Sequence, residues 1–206
     1  MDGVLDVGAN KGQFSLACRL VHRDVSITGF EPIPTEGAFF RAIHKSDPAT
    51  TLVECALGEK EGSAILHVTG RADSSSLLPV GDLQAKLFPG TEEVTTLQVQ
   101  VRRLDDLSSY WSAGTSLLLK LDVQGFELSV LKGAANALRH CRYVYAECSH
   151  EILYEGQALY PEVERFLSLS GFAMVAYANE QRVGGRLIQA DYLFERTEVK
   201  HSMGEL

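Results

Sequence analysis

The sequence contains no apolar run of about 18 residues, and its N-terminus lacks a basic lead into an apolar stretch. We therefore expect no membrane-spanning helix and no secretory signal. Basic residues are also few, because 19 Lys and Arg stand against 27 Asp and Glu and give a net charge of −8. An acidic chain is poorly suited to nucleic acid or to an anionic membrane, so the composition favours a small ligand.

Cysteine is scarce as well. The sequence has four cysteines, which form no CxxC pair and have no histidine at zinc-finger spacing. We expect four buried thiols in a reducing cytoplasm, and the spacing calls for no metal site. The four residues are Cys18, Cys55, Cys141 and Cys148.

The composition excludes a disordered chain, because 45% of the residues are hydrophobic and 22% are charged. At 206 residues, one domain is the default interpretation. We predict a single domain over residues 1–196 and a flexible tail over 197–206.

Short apolar runs alternate with segments of helical period, a pattern typical of βαβ units around a parallel sheet. Helices are predicted from the apolar spacing of Phe14, Ala17 and Val21, of Phe39, Phe40 and Ile43, of Leu128, Leu131, Ala135 and Leu138, and after Pro161. The strands predicted before residue 150 lie at 4–7, 26–31, 51–56, 116–122 and 142–148.

Strict alternation over 97–101 predicts a strand with one solvated face, which we pair with 63–69. The intervening segment, 70–90, is rich in Ser, Gly, Asp and Pro and is interpreted as a long loop. Two closing strands are predicted after residue 171 and over 190–195, joined by a hairpin at Gly184-Gly185.

The strongest local signal is DVGANKG at 6–12, between an apolar strand and a helix. In an open parallel sheet, strand C-termini and helix N-termini meet there at a ligand-binding crevice. Gly8 and Gly12 permit tight turns, free helix amides attract an anion, and Asp6 can accept hydrogen bonds from an ammonium. The pattern suits an amino acid moiety. The alternative is a plain strand-to-helix turn with glycine for steric reasons.

Glu31, in FEPIP at 30–34, ends the next strand about 19 residues after Gly12. A carboxylate at this place can accept both hydroxyls of a ribose. Alternatively, Glu31 only starts the following helix, with Pro34 in the first turn. Together with the glycine loop, the spacing favours a cofactor that contains adenosine.

Two common nucleotide-binding motifs are missing. The chain has G-x-x-x-G where dinucleotide folds have G-x-G-x-x-G, and Lys11 lacks the spacing and the Ser or Thr of a P-loop. Six segments in chain order instead resemble the FkbM family of S-adenosylmethionine-dependent methyltransferases over nearly the whole sequence. They are DVGANKGQFS, FEPIP, ALG at 56–58, RLDDL at 103–107, KLDVQGFELSVLKGA at 120–134 and DYLF at 191–194.

This resemblance implies an α/β, doubly wound, Rossmann-like sheet of seven strands with an antiparallel last strand. It also implies S-adenosylmethionine as the cofactor. The loop of Asp6, Gly8, Asn10 and Gly12 would hold its methionine part, Glu31 its ribose, and Ala56 and Leu57 would flank its adenine. Members mostly methylate hydroxyl oxygens of sugars, polyketides and similar metabolites. Because the first predicted strand begins at Val4, the helices that usually precede it in the family are not expected.

An alcohol becomes a good nucleophile only as its proton is removed, so methyl transfer to oxygen needs a general base. The ends of the fourth and fifth predicted strands supply three candidates, Asp122, Glu147 and His150. Alternatively, Asp122 binds the ammonium group of the cofactor, and His150 is an ordinary surface or core histidine. Lys120 faces the same side as Asp122, either in a structural ion pair or in catalysis. Glu127 is interpreted as a helix-dipole acid.

Ser74, Ser75 and Ser76 either line the acceptor pocket or form a solvated loop. The main hypothesis is an O-methyltransferase acting on a small hydroxyl acceptor, with direct metal assistance left open. The alternatives are a non-catalytic nucleoside-binding module that has lost its acceptor site and, disfavoured by the missing fingerprint, a nicotinamide dehydrogenase.

Overall fold

The computed structural model describes residues 1–111 and 116–197. Its α-helices are α1 (Gln13–Val21), α2 (Pro34–Ile43), α3 (Asp82–Leu87), α4 (Glu127–Lys132), α5 (Ala135–Leu138) and α6 (Tyr160–Leu169). Its strands are β1 (Gly3–Val7), β2 (Ser26–Phe30), β3 (Thr50–Val53), β4 (Ala56–Leu57), β5 (Gly62–Thr69), β6 (Glu93–Arg102), β7 (Leu117–Leu121), β8 (Cys141–Ser149), β9 (Phe172–Val183) and β10 (Arg186–Arg196).

Seven strands form the main sheet in the order β3-β2-β1-β7-β8-β10-β9. Five neighbouring strands of this sheet, β3, β2, β1, β7 and β8, are parallel, whereas β10 pairs antiparallel with both β8 and β9. This confirms the predicted doubly wound sheet with an antiparallel last strand. Because β1, β2, β7 and β8 run in one direction, the residues that follow them meet along one edge of the sheet.

A second sheet has the order β4-β6-β5 and lies outside the seven strands. Its antiparallel register, in which Leu66 faces Leu97, confirms the predicted pairing of 97–101 with 63–69. The predicted strand 51–56 is too long, since the chain leaves the main sheet after Val53 and joins the second sheet at Ala56. Ala56 packs there against Ile33, which links the two sheets.

The predicted loop 70–90 contains regular structure. A 3-10 turn covers Ala72–Ser74, and α3 follows after Gly81. Gly81 N–H donates to the Leu153 carbonyl at 2.8 Å, and a bridge joins Val80 to Tyr154. These contacts fix the segment against the loop after β8.

Three predicted helix faces are wrong. On α2 only Phe40 of the predicted face is buried, whereas Phe39 and Ile43 are exposed. On α1, Ala17 and Val21 are exposed, and Val21 is 75% accessible to solvent. The polar Ser15 takes the buried position instead. The helix expected over 128–138 is divided into α4 and α5 at Gly133. A Cβ atom on Gly133 would lie 2.0 Å from the Gly58 carbonyl oxygen. The close approach lies at the break between the two helices. Ala135, the first residue of α5, is exposed.

The four cysteines are free. Three are buried as predicted, but Cys18 on α1 is only partly buried, where it packs against the cluster of Val4, Val25 and Ile27. The single domain over 1–196 stays a prediction, and the predicted tail, apart from Thr197, lies outside the described residues.

Candidate functional site

The glycine loop after β1 has three left-handed residues, Gly8 at φ 73°, Asn10 at φ 49° and Gly12 at φ 90°. A Cβ atom on Gly8 would lie 1.8 Å from the Asp122 carbonyl oxygen, so glycine is needed where the ends of β1 and β7 touch. A Cβ atom on Gly12 would lie 2.8 Å from His44 Nε2 on the residue that ends α2. The loop therefore packs tightly between two neighbouring elements.

Glu31 closes the loop from the adjacent strand end. Its Oε2 accepts the Asn10 amide at 2.9 Å, and its Oε1 accepts the Ile33 amide at 2.8 Å. The residue is only 4% exposed, and this burial raises the pKa of Glu31 to about 7, although the two amides oppose the rise. Each carboxylate oxygen keeps a second lone pair for a ligand.

An open crevice lies between the glycine loop, Glu31 and the second sheet. Its lining includes four of the predicted cofactor residues, Gly8, Glu31, Ala56 and Leu57. Apolar side chains make up most of the remaining wall, namely Val7, Phe30, Ile33, Leu66, Leu77, Val123 and Phe126. The crevice thus combines one buried carboxylate with broad apolar walls, as expected for a small-molecule site.

Asp6 does not line this crevice. Its side chain is fully buried, its Oδ2 accepts the Ser15 hydroxyl at 2.7 Å, and its Oδ1 lies 3.0 Å from Lys120 Nζ. The expected contact between Asp6 and a ligand ammonium is therefore not supported. Protein groups already occupy the carboxylate, because a buried charge needs a partner within the fold.

Lys120 is the cation under the loop. Besides facing Asp6, its Nζ donates to the Gly8 carbonyl at 2.8 Å and lies 3.8 Å from Asp122 Oδ2. Burial alone would lower the pKa of Lys120, but the charges of Asp6 and Asp122 raise it overall. Lys120 thus makes the structural ion pair that was one of its two expected roles, and it supports the loop backbone.

Asp122 and Glu147 come together at the ends of β7 and β8. A single nitrogen, Gln124 Nε2, donates to Asp122 Oδ1 at 2.7 Å and to Glu147 Oε2 at 2.6 Å. Gln189 Nε2 adds a bond to Glu147 Oε1 at 2.9 Å. Burial and the nearby charge of Asp122 raise the pKa of Glu147 well above its usual range. Burial also raises the pKa of Asp122, but Lys120 opposes this rise.

Gln124 is the residue of this site that the sequence did not reveal. Its backbone is left-handed at φ 54°, and its Oε1 accepts the Tyr154 hydroxyl at 2.8 Å. The Ser76 hydroxyl donates to its carbonyl at 2.8 Å. Only the neighbouring Gly125 hinted at an unusual turn, and nothing in the sequence linked Tyr154 to it.

His150 is not part of this cluster. Its Nε2 lies 2.6 Å from the Tyr192 hydroxyl, and its ring stacks on Tyr160 of α6 at 5.0 Å. Because side chains alternate along a strand, continuing the phase of β8 puts His150 on the opposite face of the sheet from Glu147. The structure does not bring His150 together with Asp122 and Glu147, and its role as a base stays a prediction.

Glu127, at the start of α4, is buried and accepts the amides of Val123 and Gly125 at 3.1 Å each. Burial raises its pKa to about 7. It shapes the turn that carries Gln124. This agrees with the expected structural role and adds two hydrogen bonds that the dipole argument did not include.

The serine segment 74–76 separates the crevice from a second recess. Ser75 and Ser76 line the crevice, whereas Ser74 lines the recess, which we call the polar cleft. The polar cleft is lined by Arg71, Asp73, Ser74, Gln84, Phe88, Asp122, Gln124, Glu147, Gln181 and Gln189. The carboxylate pair therefore faces a recess of its own beside the crevice.

A family model described as the methyltransferase FkbM domain matches residues 6–174. The chain belongs to the FkbM methyltransferase family. This confirms the expected family and methyltransferase class, for which S-adenosylmethionine is the cofactor. The matched range includes the glycine loop, Glu31, the Gln124 turn and Glu147.

Two curated relatives support this FkbM membership. The chain is 28% identical over 164 residues to the 2-O-methyltransferase NoeI of Sinorhizobium fredii, which covers 75% of this chain and 66% of NoeI. It is 29% identical over 222 residues to the 31-O-demethyl-FK506 methyltransferase FkbM of Streptomyces tacrolimicus, which covers 96% of this chain and 78% of that protein. The chain thus spans slightly less than two thirds of NoeI.

A solved structure confirms the fold of this FkbM domain. The crystal structure of a putative methyltransferase from Thermobifida fusca matches with a TM-score of 0.51 at 12% identity, covering 96% of this chain and 74% of that one. In the described part of this chain, no three His, Cys, Asp or Glu side chains are grouped as a metal site requires. Across 1–111 and 116–197, no helix has the length and apolar character to cross a membrane.

Proposed function

We propose that this protein transfers a methyl group from S-adenosylmethionine to a hydroxyl oxygen of a small metabolite or sugar. The observation that carries the proposal is the pair of adjoining recesses: an apolar crevice with one buried carboxylate, and a polar cleft at the Asp122–Glu147 pair. Both relatives, NoeI and the FkbM protein of Streptomyces tacrolimicus, are named for methylation at oxygen, which supports the same reaction here.

The residues of the crevice fit the cofactor. Glu31 presents carboxylate lone pairs to the ribose hydroxyls, while Ile33, Ala56, Leu57 and Phe126 offer apolar surface to adenine. The N-cap residue of α1 is Gly12, which has no side chain to cap the helix, and this leaves the first amides of α1 for the carboxylate of the methionine part. In this proposal Asn10 and Gly12 shape the loop, and Asp6 acts through Lys120.

The bound cofactor supplies a methyl group on a sulfonium, whose leaving group is neutral. The protein must align the acceptor oxygen and remove its proton. We assign the removal of this proton to Asp122. Gln124 occupies its Oδ1, Oδ2 remains for the acceptor hydroxyl, and the positive charge of Lys120 at 3.8 Å favours the ionised form. Burial and the charge of Asp122 raise the pKa of Glu147 and so favour its protonated form, and through Gln124 this residue fixes the position of Asp122.

A non-catalytic nucleoside-binding module is disfavoured by the polar cleft, because such a module would not need a second recess with two linked carboxylates. The acidic net charge of −8 argues against nucleic acid as the acceptor. Four free cysteines support a reducing, cytoplasmic location within this proposal.

Calorimetry with S-adenosylmethionine and S-adenosylhomocysteine tests the first half of the proposal, and transfer of a labelled methyl group to a panel of alcohols and sugars tests the second. For Asp122→Asn we expect unchanged cofactor affinity and a loss of turnover of about 10² to 10⁴, the usual contribution of a general base. Asp24→Asn, at an exposed aspartate, is the matched control.

If neither cofactor form binds to the folded protein, the proposal is wrong. Binding without transfer to any acceptor would leave the nucleoside-binding module as the better description. Full turnover in Asp122→Asn would remove Asp122 as the base.

A further inference from the structure

We propose that Gln84 binds a second hydroxyl of the acceptor and thereby selects which hydroxyl is methylated. The acceptor class that follows is a neutral polyol, with at least one hydroxyl besides the reacting one. This inference rests on the proposed function, because it takes the polar cleft as the acceptor site.

The first observation is a buried amide oxygen without a partner. Gln84, on α3, is only 3% exposed and lines the polar cleft together with Asp122, Gln124 and Glu147. Its Oε1 is buried and has no hydrogen bond among the described residues. Folded proteins pair the great majority of such buried groups, because an unpaired one costs free energy of folding. An amide held unpaired beside a cleft indicates a ligand that completes it.

The chemistry of the missing partner follows from the amide. The terminal torsion of a glutamine is broad and roughly two-fold, so Gln84 can turn either its oxygen or its NH₂ group to the cleft. A hydroxyl both donates and accepts and so matches either orientation, whereas a carboxylate cannot donate to the oxygen. The aromatic ring of Phe88 in the same lining offers a surface for the carbon skeleton.

The charges that line the polar cleft further restrict which acceptors can bind there. Asp73, Asp122 and Glu147 line it against a single cation, Arg71, which itself lies 3.6 Å from Asp73. The lining thus has more carboxyl groups than guanidinium groups, even when the ion pair of Arg71 with Asp73 is set aside. An anionic acceptor is therefore repelled, and a neutral polyol is favoured.

The second observation is the rigid connection between Gln84 and the proposed base. The start of α3 is fixed by the bond from Gly81 to Leu153 and by the bridge between Val80 and Tyr154. Tyr154 also donates to Gln124, whose amide holds Asp122. Gln84 and Asp122 are thus tied to one residue, so their separation is fixed. An acceptor that binds both must present its hydroxyls at that spacing, which selects the position of methylation.

The test is a titration followed by NMR of the ¹⁵N-labelled protein, with and without saturating S-adenosylhomocysteine. The probes are methyl α-D-glucopyranoside and myo-inositol as neutral polyols, D-glucuronate as an anionic one and cyclohexanol as a single hydroxyl. We expect the neutral polyols to shift the side-chain amide resonance of Gln84 and to bind more tightly than the other two. Gln84→Met, close in shape, should bind them about tenfold more weakly, as for one lost hydrogen bond.

Gln100→Met, at an exposed glutamine of β6, is the control and should keep the wild-type affinity. The inference is overturned if no neutral polyol shifts the Gln84 resonance, or if Gln84→Met binds them as tightly as wild type. Gln84→Asn serves in its place if the Met variant does not fold. Failure of S-adenosylhomocysteine to bind contradicts the proposed function instead, and the titration without it still decides the role of Gln84.

Discussion

At the scale of single residues, Glu31 shows burial and hydrogen bonding acting in opposite directions. Burial raises its pKa to about 7, and the amides of Asn10 and Ile33 limit the rise. The carboxyl group is therefore mostly protonated at pH 6 and mostly ionised at pH 8. Hydrogen bonds to an ionised acceptor are roughly twice as strong as those to a neutral one.

We accordingly predict that the affinity for S-adenosylmethionine increases from pH 6 to pH 8. Glu31→Gln should weaken binding at pH 8 by about 1 to 2 kcal/mol and remove most of this pH dependence. Calorimetry at the two pH values measures both effects. Glu92→Gln, at an exposed glutamate, should retain the wild-type profile. A profile that is equally steep in Glu31→Gln would show that another group titrates.

The sequence indicated Glu31, Asp122 and Glu147 as site residues for a simple reason. Each of the three lies at the end of an apolar strand. It did not reveal Gln124, because that role depends on Tyr154, which is 30 positions away and reaches it only through the fold. His150 was misplaced because side chains alternate between the two faces of a strand, and a residue three positions after Glu147 falls on the opposite face.

At the scale of elements, strands were easier to predict than helix faces. Apolar runs buried on both sides identify β1 and β7 directly, since all five residues of β1 are buried. On α1, the spacing of Phe14, Ala17 and Val21 was misleading. The helix instead buries Ser15, whose hydroxyl donates a hydrogen bond to Asp6. A hydrophobic pattern cannot predict such a polar contact.

The junction between α4 and α5 permits a sharp test. In Gly133→Ala the added methyl would lie 2.0 Å from the Gly58 carbonyl oxygen, so the backbone must shift. We expect the free energy of unfolding to fall by about 1 to 3 kcal/mol, as for other overpacked sites. Urea denaturation measures it. In the control, Gly62→Ala, the methyl meets no atom within 4 Å, so equal losses in both variants would contradict the steric explanation.

At the scale of the whole molecule, buried acids make stability depend on pH. Glu31 and Glu127 both have pKa values raised from 4.5 to about 7 by burial. The folded protein then holds protons that the unfolded chain has released. Their stabilising contribution is fully present below about pH 4.5 and is lost as the pH rises through about 7.

Glu127→Gln isolates one of these groups. Glutamine keeps an oxygen for the amides of Val123 and Gly125 but carries no charge to bury. We predict that the variant is more stable than wild type at pH 8, by up to about 3 kcal/mol, with a smaller difference at pH 5.5. Urea unfolding at the two pH values measures this, with Glu92→Gln as the exposed control. A gain that is the same at both would exclude charge burial as its cause.

The segment that separates the two recesses has a consequence for how such a protein diversifies. Ser74–Ser76 and α3 lie in the connection between β5 and β6, outside the seven-stranded sheet. Exchange of this connection would reshape the polar cleft and the part of the crevice wall formed by Ser75 and Ser76, while leaving the strands around Glu31 in register. Because both recesses share this wall, a change in the connection alters the two of them together, while the seven-stranded sheet stays the same.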